Sequence, residues 1–128
     1  MKKVLFLLMI LSSVVFAKHL NYESHYQKIY CDSVGGVTEH VLPDRARVDC
    51  LTDRLAVEVD FSEKWGECIG QALLYGVDTN RKPACLLIME DPVGDIKHLK
   101  RLQRVADRYS IKVITIDADG KIVEHESQ

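Results

Sequence analysis

Residues 47–61, Arg47-Val48-Asp49-Cys50-Leu51-Thr52-Asp53-Arg54-Leu55-Ala56-Val57-Glu58-Val59-Asp60-Phe61, read as two short strands folded about Asp53-Arg54. Strand side chains alternate between faces, so residues two apart share a face. A turn centred between residues 53 and 54 sets Asp49 opposite Glu58 and Arg47 opposite Asp60. One face then carries Val48, Cys50, Val57, Val59 and Phe61 and suits a core. The other carries Asp49, Glu58 and Asp60, with only Arg47 to balance them. Like charges at cross-strand distance are destabilising, so a cation is expected on that face.

N-terminal to the hairpin, Tyr22, Tyr26, Ile29 and Tyr30 recur at helical spacing and predict a helix over residues 21–32, ended by Gly35-Gly36. Thr38 to Leu42 is a candidate strand, and Pro43-Asp44 a turn into the hairpin. After Phe61, Ser62 is placed to cap a helix over residues 63–77, with Trp65, Ile69, Ala72 and Leu73 on its apolar stripe. The unbroken apolar run Ala84-Cys85-Leu86-Leu87-Ile88-Met89 predicts a buried central strand. Asp95 is placed to cap a further helix over 96–109, followed by a strand over 112–116. Asp119-Gly120 then predicts a hairpin into a short edge strand over 121–124. The order α-β-β-β-α-β-α-β implies α/β architecture: a mixed sheet flanked by helices in a three-layer α/β/α sandwich.

The chain of 128 residues is long enough for one domain with a real core. Residues 1–17 are expected to lie outside it. Lys2 and Lys3, the apolar run Val4–Leu11 and Val15-Phe16-Ala17 before Lys18 read as a secretory signal peptide. An uncleaved anchor is the alternative, although the run is short for a membrane span. The domain is then 18–128, periplasmic or secreted, with no membrane span after cleavage. Loss of Lys2 and Lys3 takes the net charge from −2 to about −4. That balance argues against a dedicated nucleic-acid binder, and leaves room for transient contact through a local basic patch or a bound metal.

Four cysteines in an exported chain favour disulfides over zinc, since no CxxC pair is present. The reading favours Cys31–Cys50, with Cys68–Cys85 as a second pair and free buried thiols as the alternative for the latter two.

The acidic face supports specific chemistry. Hard divalent cations prefer carboxylate oxygens, so Asp49, Glu58 and Asp60 could together hold Mg2+ or Mn2+ beside a phosphodiester. Such an ion polarises the phosphoryl oxygen and supplies bound hydroxide. Hydrolysis also needs a cation to offset charge on the phosphoryl group, and Lys64 directly follows the strand. Lys64, Cys68, Gln71 and Tyr75 share one helical stripe, so Gln71 and Tyr75 would extend the polar wall.

Asp49 in one strand, Glu58-x-Asp60 in the next and Gln71-x-x-x-Tyr75 in the following helix resemble the PD-(D/E)XK, or restriction endonuclease-like, nuclease superfamily. Its α-β-β-β-α-β core is similar to residues 21–90, and Gln-x-x-x-Tyr resembles the motif of its RecB-type exonucleases. The stretch from Val41 through Gln71 also resembles a small exported bacterial branch of this fold. The resemblance implies a metal-dependent nuclease acting on DNA or RNA. Asp49 and Glu58 would be its metal carboxylates, with Glu23 or Glu39 as the extra acid that many members carry. The superfamily's lysine should stand where this chain has Asp60. Lys64 is placed to replace it, as in members whose lysine has moved to the adjacent helix. The alternative is a catalytically inactive nuclease-fold binding protein. Pro43-Asp44 reads as a turn rather than as the motif's Pro-Asp.

Plainer readings stand beside these. Asp49, Glu58 and Asp60 could form a salt-bridged network with Arg47 and Lys64, and Tyr75 could simply pack with its hydroxyl hydrogen-bonded. Lys97, Lys100, Arg101, Arg104 and Arg108 read first as a solvated helix face partly paired with Asp107, with a phosphate-contacting surface as the alternative. The five histidines form no ligand-like pair and are assigned no metal.

Overall fold

The computed structural model describes residues 18–127; the expected signal peptide, residues 1–17, lies outside them. Helix α1 (Glu23–Ser33) precedes strands β1 (Val37–Val41), β2 (Arg47–Leu51) and β3 (Leu55–Phe61). A single 3₁₀ turn, Ser62–Lys64, leads into α2 (Trp65–Thr79), then β4 (Lys82–Met89), α3 (Ile96–Tyr109), β5 (Lys112–Asp117) and β6 (Ile122–His125). The chain is an α/β protein with six strands in one mixed sheet, ordered β1-β2-β3-β4-β5-β6.

The strands β3, β4 and β5 run parallel, and the outer pairs are antiparallel. Two successive right-handed crossovers that step in one direction put both connecting helices on the same face of a sheet. Accordingly α2 and α3 cover one face, where Cys68, Ala72, Leu99, Leu102 and Ala106 pack on Cys85, Leu87 and Met89. The other face receives α1, whose Tyr26, Tyr30 and Cys31 pack on Val57, Val59, Leu86, Ile88, Ile114 and Ile116. Strand β4 is thus apolar on both faces, as its unbroken run predicted, and residues Ala84–Met89 are all buried.

The hairpin has the register read from sequence, with Cys50 opposite Val57 and Leu51 opposite Ala56. Cys31 at the end of α1 is joined to Cys50 by a disulfide, Cα–Cα 5.7 Å, which ties the helix to the sheet. Gly36 passes so close that a Cβ there would lie within 3 Å of both sulfurs, 2.5 Å from Cys50 Sγ and 2.8 Å from Cys31 Sγ. A disulfide of this kind suits an oxidising compartment. The expected Cys68–Cys85 disulfide is not formed. Both thiols are free and buried, where they behave as small apolar side chains, and Cys68 Sγ donates to the Glu58 carbonyl at 3.6 Å.

Two expected helix caps are also corrected. Ser62 does not cap; it is fully buried in the 3₁₀ turn and its Oγ has no protein partner. Asp95 precedes α3 but turns its Oδ2 back to the Asp91 N–H at 2.9 Å. Asp44 closes its turn by accepting from Ala46 N–H at 3.0 Å, a local structural role. Among the described residues no helix is long and apolar enough to cross a membrane.

Candidate active site

The site begins where β2 and β3 part. Beyond Cys50, the Asp49 side chain takes a place in the ladder: its Oδ2 accepts the Val59 N–H at 2.7 Å. Its carbonyl accepts from Gln27 Nε2 at 2.8 Å, and the same nitrogen donates to Glu39 Oε1 at 2.9 Å. Glu39 stands across from Asp49 in the β1–β2 register and has φ 56, a left-handed backbone rare for a residue with a side chain. Val48 packs with Leu42, Ala56 and Tyr75, whereas Cys50 packs with Val57 and Val59. The expectation that Val48 and Cys50 share one face is therefore corrected, because alternation assumes an unbroken ladder. Arg47 is corrected too. It reaches Glu39 Oε2 at 3.9 Å and is exposed, rather than balancing Asp60.

Strand β3 carries the remaining acids beneath α2. Glu58 and Asp60 are each only 4% exposed. Glu58 Oε2, Asp60 Oδ2 and Ser62 Oγ, at alternate positions along this stretch, are all buried without a protein hydrogen-bond partner. Burial, followed by the negative charges of Asp49 and Asp60, pushes the Glu58 carboxyl up to about 10. Burial and then Glu23 raise Asp60 to about 7, against the opposing pull of Lys64. Asp49 is raised by burial, opposed by the Val59 amide and by a hydrogen bond with Glu58, and raised further by Glu39. Burial and mutual repulsion therefore disfavour ionising Asp49 and Glu58 together.

The site residues named from sequence come together around this pair. Glu23, at the start of α1 and half-buried, is raised by burial and then by Asp49, while Lys64 opposes. Lys64 lies exposed in the 3₁₀ turn and exerts its charge on both Asp60 and Glu23. The Tyr75 hydroxyl donates to Gln71 Oε1 at 3.0 Å. Burial and then the charges of Glu58 and Asp49 raise the Tyr75 phenol well above its usual range. Asp49, Glu58, Asp60, Lys64, Gln71 and Tyr75 thus form one neighbourhood, with Glu23 facing it and Glu39 engaged by Gln27 and Arg47 at its rim.

An anchor missed from sequence holds α1 in place. The His19 ring stacks on Phe61 with centroids 3.5 Å apart. Its Nε2 lies 2.9 Å from Glu63 Oε1 and its Nδ1 3.0 Å from Glu90 Oε2. Glu90 also accepts from the Tyr26 hydroxyl at 2.6 Å and from the Leu20 and Asn21 amides. These bonds fix the chain entering α1, and with it the position of Glu23. Gln27 was missed as well; the available signal was a polar residue four positions after Glu23, between Tyr26 and Tyr30 on the buried stripe.

Buried, unpartnered carboxylate oxygens are hard donors of the kind that suit Mg2+ or Mn2+. Among the described residues no group of three or more His, Cys, Asp or Glu side chains is already disposed to hold a metal ion. Asp49 in particular is turned to the Val59 amide and to Glu58. No family model, curated protein or solved structure matches the chain.

Proposed function

We propose that this protein is an exported nuclease-like domain with a restriction endonuclease-like three-layer fold, hydrolysing phosphodiesters of DNA or RNA with a divalent metal ion. The observation that carries the reading is the pair of buried, unpartnered oxygens on Glu58 and Asp60, set beside Asp49 with the Lys64 charge in reach. Burying carboxylates without partners is costly, and an ion site gives that cost a purpose.

Asp49, Glu58 and Asp60 would hold Mg2+ or Mn2+, whose chemistry there is to polarise a phosphoryl oxygen and lower the pKa of bound water. To bind it, Glu58 releases its proton and its hydrogen bond to Asp49 is given up. Lys64 offsets the negative charge of the phosphoryl group, the role left open by Asp60 in the usual lysine place. Gln71 and Tyr75, bonded to each other, form the polar wall against which the substrate is oriented. Glu23, held by the anchored start of α1, completes the acidic rim.

A second reading, an inactive binding module of the same fold, is favoured by one observation: the Asp49 carboxylate is already spent on the sheet, its Oδ2 accepting the Val59 N–H at 2.7 Å. A hydrolysis assay on labelled DNA and RNA, with Mg2+ and Mn2+ supplied separately, decides between them. The enzyme reading expects cleavage that chelator and Glu58→Ala both abolish. Absence of cleavage with either ion, or cleavage unchanged in Glu58→Ala, would sink it.

A further inference from the structure

The exposed side of α3 carries Lys97, Lys100, Arg101, Arg104 and Arg108, all solvent-exposed. At 3.6 residues per turn they fall within about 100° of arc along about 16 Å of helix. Several of them are three or four residues apart, the spacing at which like charges destabilise a helix. Arg108 has a local reason to be basic, since it lies in the last turn, where the helix dipole favours a cation. Lys97 has the opposite problem: it sits in a first turn that contains no acid. The acid bordering the stripe is Asp107, itself engaged. Like charges at this spacing work against the helix, in a chain whose net charge is −2.

We infer that this face of α3 is a docking surface for the phosphate backbone of one nucleic-acid strand. Charge complementarity names the occupant. A nucleic-acid strand carries a charge about every 3.4 Å along its axis, so about 16 Å of helix runs beside about five phosphates. The apolar side of α3, Leu99, Leu102 and Ala106, is buried against the sheet. It is not free to enter a bilayer, which is how an amphipathic helix holds a membrane. No aromatic side chain interrupts the basic row, so contact is with backbone phosphates and independent of base sequence. This surface shares the partner class of the proposed function but does not need hydrolysis, and its test reads binding alone.

The test is fluorescence anisotropy of a labelled single-stranded oligonucleotide with the purified protein, in chelator and over a series of salt concentrations. Five phosphate contacts on a single strand give a slope of log K against log salt of about −3.5. Lys100→Gln/Arg101→Gln/Arg104→Gln is expected to shallow that slope by about 2. Arg45→Gln/Arg54→Gln/Lys121→Gln removes the same charge elsewhere on the exposed surface and is expected to keep the slope of the unmodified protein. Because chelator removes divalent ions, this readout does not depend on hydrolysis at the acidic site. Thermal melts of each variant confirm folding. No binding at low salt, equal slopes in the two triple variants, or displacement of the oligonucleotide by phosphatidylglycerol vesicles would overturn the inference.

Discussion

Asp49 and Glu58 lie close together where β2 and β3 part, each raising or shaping the other's carboxyl, while Asp49 Oδ2 takes the Val59 N–H at 2.7 Å. One acid of the pair is thus a structural member of the sheet, and the other a buried group that folding keeps protonated. Stability should carry the mark of that proton. A carboxyl raised on folding makes the folded state bind more protons than the unfolded chain, so its contribution is fullest below the unfolded value and is lost as pH rises through the folded one. For Glu58 that window runs from 4.5 to about 10, and for Asp60 from 3.8 to about 7. Chemical denaturation in chelator is expected to show lower stability at pH 8 than at pH 5, with Glu58→Gln flattening the decline. Stability that rises over this interval, with the same slope in the variant, would contradict the assignment.

Lys64 supplies the positive charge beside Asp60 and Glu23. If it offsets charge that develops during phosphoryl transfer, its removal should act on rate more than on binding. Lys64→Ala is expected to lower hydrolysis by about 10²–10³-fold, the range for losing one such stabilising group. Mn2+ affinity should change by less than the rate does. Steady-state kinetics paired with a metal titration separates the two effects.

The disulfide closes a loop with a sequence separation of 19 and holds β2, which carries Asp49, against α1. Removing a native disulfide from a small secreted domain costs about 2–5 kcal/mol. Cys31→Ser/Cys50→Ser should show a loss in that range by urea unfolding. Gly36→Ala should destabilise by a different route, because its Cβ would meet both sulfurs. Cys68→Ala and Cys85→Ala are expected to lose the same stability in reductant as the unmodified protein does, since those thiols form no bridge.

Glu90 anchors the entry to α1. Partial burial acts to raise its carboxyl, yet the Tyr26 hydroxyl, the Leu20 and Asn21 amides and His19 outweigh it and hold it below the usual range. The contribution of a depressed carboxyl is present above its unfolded value and lost as pH falls through the folded one. Glu90→Ala is expected to cost about 1.5–3 kcal/mol, as for hydrogen bonds to a charged group. Hydrogen exchange should rise first over residues 20–26, and that local loosening should be seen in the unmodified protein only at acid pH.

The hairpin register, the helices α2 and α3 and the buried strand β4 were legible because each rests on local periodicity or on a turn between neighbouring residues. The Gln71–Tyr75 pair was legible for the same reason. What happens at Asp49 was not, since its carboxylate replaces a ladder bond and so turns Val48 away from the face of Cys50. Nor could periodicity show Glu90, whose partners at residues 19–21 and 26 lie at least 64 positions away in the chain. Gln27 and Ser62 were hidden by polarity: each looks like a surface or capping residue until the packing around it is known.

The proposed divalent-cation site lies among the buried acids of β2 and β3, and its decisive test is calorimetric titration of Mn2+ at pH 7, run in two buffers of different ionisation enthalpy. Because Glu58 is held protonated without metal, binding must release protons, so the apparent enthalpy should differ between the buffers. Affinity should rise with pH, and Glu58→Gln should abolish the binding. No heat of binding at millimolar Mn2+, or binding that Glu58→Gln leaves intact, would rule the site out.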